Sequence, residues 1–192
     1  FRIAAEFGAV HGQKADDMRR QQEAAHHARR RRVAIVTDSA ADIPEDELER
    51  LDIHFVPARV HFGEHSYLDK VGLTPDQFFE LLATSPHAPK TSQPPPGYFR
   101  RLFEFLTSHY ESVVSVNLTG LSSATRQAAE AAASRLVAKD RVTIVDTGNA
   151  SVGQGLLAIY AAECADAGMD RDAVVAAVRA RIPKTFTFAC LE

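Results

Sequence analysis

The chain has 192 residues, 45% of them hydrophobic and 24% charged, which is enough for one good-sized core and rules out disorder as the dominant state. No apolar run approaches the roughly 20 residues that a membrane span needs, and FRIAAEFGAVHGQKADDMRR lacks the charged-then-apolar order of a signal, so a cytoplasmic protein without stable membrane insertion is expected. The net charge of −3 is uneven, because residues 1–32 hold 8 Lys and Arg against 4 Asp and Glu and leave the rest at −7, an acidic surface that argues against nucleic acid as a partner.

The chain opens on Phe1 instead of Met, which suggests a fragment or a processed product. Residues 1–32 are expected to form a connector or the tail of an upstream domain: Ala15 to Arg32 is rich in helix formers but poor in apolar residues, and the run Arg29 to Arg32 reads as a solvated linker. A domain begins near Val33, where VAIVTDSAADIP has the pattern of a buried parallel strand followed by a loop at its carboxyl end. Pro44 and EDELERL predict a helix entered through a first-turn proline and acidic residues, and IHFVPARVHF predicts a pair of strands. Thr74-Pro75-Asp76 predicts an N-cap for the amphipathic helix PDQFFELLAT, and the prolines of KTSQPPPG predict a loop.

From there helices and strands alternate. YFRRLFEFLTSHY is a helix, SVVSVNL a strand, SSATRQAAEAAASRLVA a helix, RVTIVDT a strand, SVGQGLLAIYAAECADAG a helix ended by Gly168, RDAVVAAVRARI a helix and TFTFACL a strand-like run. The fold class predicted is α/β, a mainly parallel sheet with helices on both faces. Cys164 and Cys190 have no metal-ligand spacing and read as small buried hydrophobes.

In open α/β sheets ligands bind beyond the carboxyl ends of the strands. That rule selects Thr37-Asp38-Ser39, Asn117 to Ser123 and Asp146-Thr147-Gly148-Asn149, with Thr91-Ser92-Gln93 on a proline-stiffened loop as a fourth segment. Hydroxyls and backbone N–H groups converging there suit one carboxylate or phosphate. Taken singly, Ser122 and Ser151 also fit as plain helix N-caps; it is the clustering that favours a ligand.

Other chemistries fit less well. No serine sits in the G-x-S-x-G setting of a hydrolase, and the histidines at 54, 61, 65, 87 and 109 read more simply as surface or packing residues than as bases. Gly153-Gln154-Gly155 lacks the third glycine of a dinucleotide fingerprint and is better explained by close helix packing; no Walker loop exists, and His54, His61 and His65 lack a carboxylate at matching geometry for a metal. What remains is a hydroxyl-lined anion site beside abundant Phe, Leu and Ala, which suits a ligand with one acidic head and an apolar body.

VAIVTDSAADIP, PKTSQPPPGYF, LTGLSSATRQAA and IVDTGNASVGQGLL, in that order, resemble the bacterial DegV family of fatty-acid-binding proteins over about residues 33–192. The resemblance implies a two-domain α/β protein that buries a long-chain fatty acid and presents its carboxylate to a fatty acid kinase, with no other cofactor, no metal and no catalytic residue of its own. It implies that Thr91, Ser92 and Ser122 hold the carboxylate while Thr37, Asp38 and Ser39 shape the loop beside it. The chain departs from the pattern at Pro95-Pro96, Ser123-Ala124 and Thr147. It also implies that 33–192 is a first domain incomplete at its C-terminus, with the second domain largely absent. The leading segment is similar to the end of a dihydroxyacetone-kinase-like domain, so the junction of a kinase and binding-protein fusion is a further expectation. The alternatives to a lipid carrier are part of a kinase or acyl-transfer enzyme fusion, or a regulatory interaction module.

Overall fold

Six consecutive buried residues, Val33–Asp38, make the central strand β1. The structure, a computed structural model, describes residues 32–188; the predicted connector before Arg32 and the last four residues, Cys190 among them, lie outside these. In chain order the elements are β1, α1 (Glu45–Leu51), β2 (Ile53–Val56), β3 (Arg59–Phe62), β4 (His65–Leu68), α2 (Pro75–Thr84), β5 (Lys90–Ser92), α3 (Pro96–His109), β6 (Ser112–Asn117), α4 (Thr125–Ala133), β7 (Val142–Asp146), α5 (Ser151–Asp166) and α6 (Arg171–Arg181).

Four strands form a wholly parallel sheet in the order β2-β1-β6-β7. Strand alternation splits its side chains between two cores. Val33, Ile35, Ile53, Val114, Val116 and Val145 pack with Leu51, Leu157, Ala161 and Val174, under α1, α5 and α6. Ala34, Val36, Val56 and Val113 pack with Phe99, Phe103, Leu106 and Ala129, under α3 and α4. Burial on both faces explains why these strands read as continuous apolar runs, and the α/β class with helices on both faces is what the structure has.

A second, antiparallel sheet, β4-β3-β5, is the main departure from expectation. IHFVPARVHF gives two strands, but Pro57 and Ala58 break them and they join different sheets. The polar, largely exposed HSYL carries no strand signature, yet pairs with β3 from Phe62↔His65 to Arg59↔Leu68. KTSQPPPG is only partly a loop: Lys90–Ser92 is the edge strand β5, and Pro96 opens α3, at a first-turn position where its missing N–H costs nothing. Val60, Phe62 and Leu73, with Tyr67, Phe78 and Leu81, form a small core between this sheet and α2, which begins in the capping box of Thr74 and Gln77.

The remaining corrections are local. Pro44 stands at the N-cap of α1 and not in its first turn. Ser122 caps nothing: α4 starts at Thr125 after Ala124, and it is Ser123 whose Oγ accepts from the Thr125 N–H. Ser151 lies inside the first turn of α5, after Ala150. The backbone from Thr185 to Phe188 is irregular, crossing the start of α5 where Thr187 Oγ1 donates to Asn149 Oδ1 and the Ala150 carbonyl. Gly153 and Gly155 do mark close approach, although to loops: a Cβ would stand 2.4 Å from Thr187 Oγ1 at the first and 3.1 Å from Ile43 at the second. Gly168, at φ +86, follows the end of α5 in the left-handed region as expected.

Candidate functional site

Strand order makes the carboxyl ends of β1 and β6 a switch point, since the chain leaves β1 for β2 on one side and reaches β6 on the other. Helices following parallel strands begin at that edge, so the loops of residues 38–44, 118–124 and 147–150 converge there, and so does the start of α3 just after Ser92. The loops are tied together. Asp38 Oδ2 accepts from Asn117 Nδ2 at 3.0 Å and from the Leu118 N–H at 2.9 Å, while its Oδ1 takes the Ala40 N–H. The Thr119 N–H donates to the Asn149 carbonyl, and the Gly120 N–H to Asp146.

Thr37, Asp38 and Ser39 are each no more than 2% exposed. Thr37 Oγ1 donates to the Val116 carbonyl and accepts from Gln154 Nε2, and Ser39 Oγ accepts from the Ala58 N–H at 3.0 Å. Their polar atoms thus face neighbouring chain segments, and the three residues position the edge. The bond from Ala58 to Ser39 carries the edge directly into β3, where Arg59 lies opposite Ser92 of β5.

The pleat then sorts the TSQ segment. Residues directly opposite in an antiparallel pair share a face, so Thr91 stands with Val60 on the side of the small core, and Ser92 stands with Arg59 on the other. There, His61 Nε2 lies 3.0 Å from Ser92 Oγ, and Arg59 donates to Ser66 Oγ and, at 2.9 Å, to the Tyr98 hydroxyl of α3. Ser122 is exposed on the turn after β6. The result is a half-buried hydroxyl with an imidazole beside it and Arg59 across from it on β3, at the rim of an edge toward which helix N-termini point.

Sequence reasoning passed over Arg59, Tyr98 and Gln154. The first two become visible only when β3 is paired with β5 and packed on α3. Gln154 had a signal, a polar residue between two glycines ahead of the apolar run Leu156 to Ala162, and it is fully buried. Away from this face, a groove of about 550 Å³ runs between Ile43, Pro44, Leu48 and Phe55 on one side and Lys70, Thr74 and Pro75 on the other. None of the predicted site residues lines it. At its end Lys70 Nζ pairs with Asp42 at 2.8 Å and Ser151 Oγ donates to the same carboxylate at 2.7 Å. Burial pushes the Asp42 carboxyl up, but the hydrogen bonds from Lys70 and Ser151 and the Lys70 charge outweigh it and hold the group below its ordinary value. Among the described residues, no three His, Cys, Asp or Glu are grouped for a metal, and no helix is long and apolar enough to cross a membrane.

Residues 32–192 match the model of the family described as "Uncharacterised protein, DegV family". The chain belongs to the DegV family. A DegV domain-containing protein of Caldanaerobacter subterraneus subsp. tengcongensis is 34% identical over 152 residues, which are 79% of this chain and 54% of that protein. Among solved structures, a DegV family protein from Thermus thermophilus, described by its fatty acid binding, aligns with a TM-score of 0.71 and 34% identity, over 79% of this chain and 54% of the other. DegV of Bacillus subtilis, described as a fatty acid binding protein, gives a TM-score of 0.74 and 31% identity over the same shares. This DegV chain therefore spans about half the length of the relatives it matches. The TDS, TSQ, Ser-rich turn and S-x-G-x-G segments, traced in the structure, are respectively the end of β1, strand β5, the turn after β6 and the start of α5.

Proposed function

We propose that this domain binds a long-chain fatty acid by its carboxylate at the carboxyl edge of the parallel sheet and holds it for a fatty acid kinase supplied in trans or by fusion, acting as a carrier and not as a catalyst. The observation that carries the reading is the placement of Ser92 Oγ beside His61 and one strand from Arg59, facing away from the small core. A half-buried hydroxyl beside an imidazole, with an arginine across from it on the neighbouring strand, favours one anionic head group. Ser122, on the exposed turn that Asp38 fixes through Leu118, supplies a second hydroxyl at the same edge. Thr91 contributes through its backbone on the edge strand.

The surface around the edge suits the apolar body of such a ligand. Leu121 is 96% exposed and Phe188 93%, with Val152, Leu156 and Phe186 also open to solvent near the start of α5. Exposed apolar side chains of this number suit a cover, which the acyl chain and a further domain would provide. The relatives described as fatty acid binding support the ligand class.

The test is organic extraction of the purified chain followed by mass spectrometry, with calorimetric titration of fatty acid into the delipidated protein. Co-purified or titratable fatty acid without turnover is expected. A chain that takes up no fatty acid, but captures another protein or turns over a substrate, would refute the carrier reading.

A further inference from the structure

We infer that the groove between α1 and the start of α2 is a second ligand site, which takes a small amphiphile with a cationic head, an alkylammonium, in preference to a fatty-acid anion. The inference goes beyond the carboxylate reading above and does not rest on it, since none of Thr91, Ser92 and Ser122 lines the groove.

The walls come first. The volume of about 550 Å³ lies in the range of small-molecule sites, and Ile43, Pro44, Leu48, Phe55 and Pro75 give it a mainly apolar lining. Leu48 and Phe55 are half-buried, so each keeps apolar surface that a ligand can cover. The groove is also braced. Pro44 at the N-cap of α1 and Pro75 in the first turn of α2 set a fixed φ on either side of it. Lys70 reaches across one end to Asp42 at 2.8 Å and to the Ala41 carbonyl at 3.2 Å, which ties the two sides together. A groove that is open and held in advance loses little freedom when a ligand enters.

Charge then selects the head group. The charged side chains in the lining are Asp42, Glu45 and Lys70. Asp42 and Lys70 neutralise each other, and Ser151 Oγ donates to the second Asp42 oxygen. Glu45 opens α1, is exposed, and has no cationic partner among the described residues, because Arg50 of the same helix is taken by Glu47. The lining is therefore left with one negative charge in excess. A carboxylate entering the groove meets its own sign, whereas an ammonium restores the balance. Glu45 and Leu48, three residues apart, share one face of α1, so a head paired with Glu45 lays its chain toward Leu48 and Phe55. The edge around Ser92 has the opposite character, with Arg59 across the strand pair. The two surfaces thus sort ligands by the sign of the head.

Decylammonium chloride at neutral pH, where the amine is charged, is the probe, with decanoate and neutral decanol as chain-matched controls, all below their micelle or solubility limits. Amide chemical shifts of the full 192-residue chain report both where each binds and how tightly. Decylammonium is expected to perturb Asp42 to Leu48 and Lys70 to Thr74, and to bind there more tightly than decanol, with decanoate weakest in the groove. Glu45→Gln, a change at an exposed position whose spectrum also reports the fold, should weaken decylammonium by on the order of fivefold and leave decanol unchanged. Added salt should weaken decylammonium binding to the wild-type chain and have little effect on Glu45→Gln. Shifts absent from the groove or scattered over the acidic surface would overturn the inference, as would Glu45→Gln binding decylammonium like the wild type. Decanol or decanoate held in the groove as tightly as decylammonium would overturn it too. Decanoate binding at the edge around Ser92, or its failure, bears on the carboxylate reading alone.

Discussion

Ser92 and Thr91 are adjacent on an edge strand, and the pleat alone decides which of them meets Arg59 and His61. In the sequence both are hydroxyls in one TSQ motif and are indistinguishable; only the register with β3 separates them. Ser92→Ala should therefore weaken fatty-acid binding by about 1–3 kcal/mol, the loss of a donor to a charged acceptor, with Thr91→Val costing clearly less. Calorimetric titration of both variants checks this, and the reverse order would contradict the assignment. Asp38 teaches the complementary lesson. A carboxylate after a strand reads as a site residue, yet this one is buried and accepts three N–H bonds that join the loops after β1 and β6. Asp38→Ala strands those donors and should lower stability by about 2–4 kcal/mol in denaturant unfolding, more than a surface carboxylate would.

At the scale of elements, the apolar runs and the helix periodicity were enough to read the parallel sheet and both helical layers, because burial on two faces leaves an unmistakable composition. The antiparallel sheet was not legible. Its strands are three or four residues long, one is polar and exposed, and prolines flank the others, so their pairing is decided by the small core under α2 and by no local preference. The S-x-G-x-G segment at the start of α5 shows how close packing turns a propensity rule around. Gly→Ala in a helix ordinarily gains about 1 kcal/mol, but at Gly153 a methyl would meet Thr187 Oγ1 at 2.4 Å and Asn149 Oδ1 at 2.9 Å. Gly153→Ala should therefore destabilise the domain and release Thr185 to Phe188, seen as faster amide exchange there.

The clasp of Lys70, Asp42 and Ser151 joins the β4 to α2 connection to the loop after β1 and to the start of α5, with Lys70 at φ +61 and Ser151 at φ +53 held in the left-handed region. Because the folded Asp42 carboxyl is held below its ordinary value, its contribution is complete above the usual carboxylate range, near pH 4, and is lost as pH falls through the lower folded value. Asp42 is half exposed, so solvent screening keeps the effect under about 1 kcal/mol. Unfolding measured at neutral and at acid pH should show Asp42→Asn less stable than wild type at neutral pH and nearly equal to it at the acid end. An equal gap at both would contradict the clasp.

Over the whole molecule, two surfaces compete for the ligand. One is the edge around Ser92, His61 and the turn after β6; the other is the groove of about 550 Å³ between Ile43 and Pro75, which none of Thr37, Asp38, Ser39, Thr91, Ser92 and Ser122 lines. The edge is the better match because its chemistry suits a carboxylate and because the TDS, TSQ and Ser-rich segments gather at or beside it, whereas the S-x-G-x-G segment sends Ser151 to Asp42 at the end of the groove. Mapping amide chemical shifts while decanoate is added tests that choice directly. Perturbations are expected to gather at Ser39, Arg59 to His61, Thr91 to Gln93 and Leu118 to Ser123. Perturbations confined to Asp42 to Leu48 and Lys70 to Pro75 would place the ligand in the groove and contradict it.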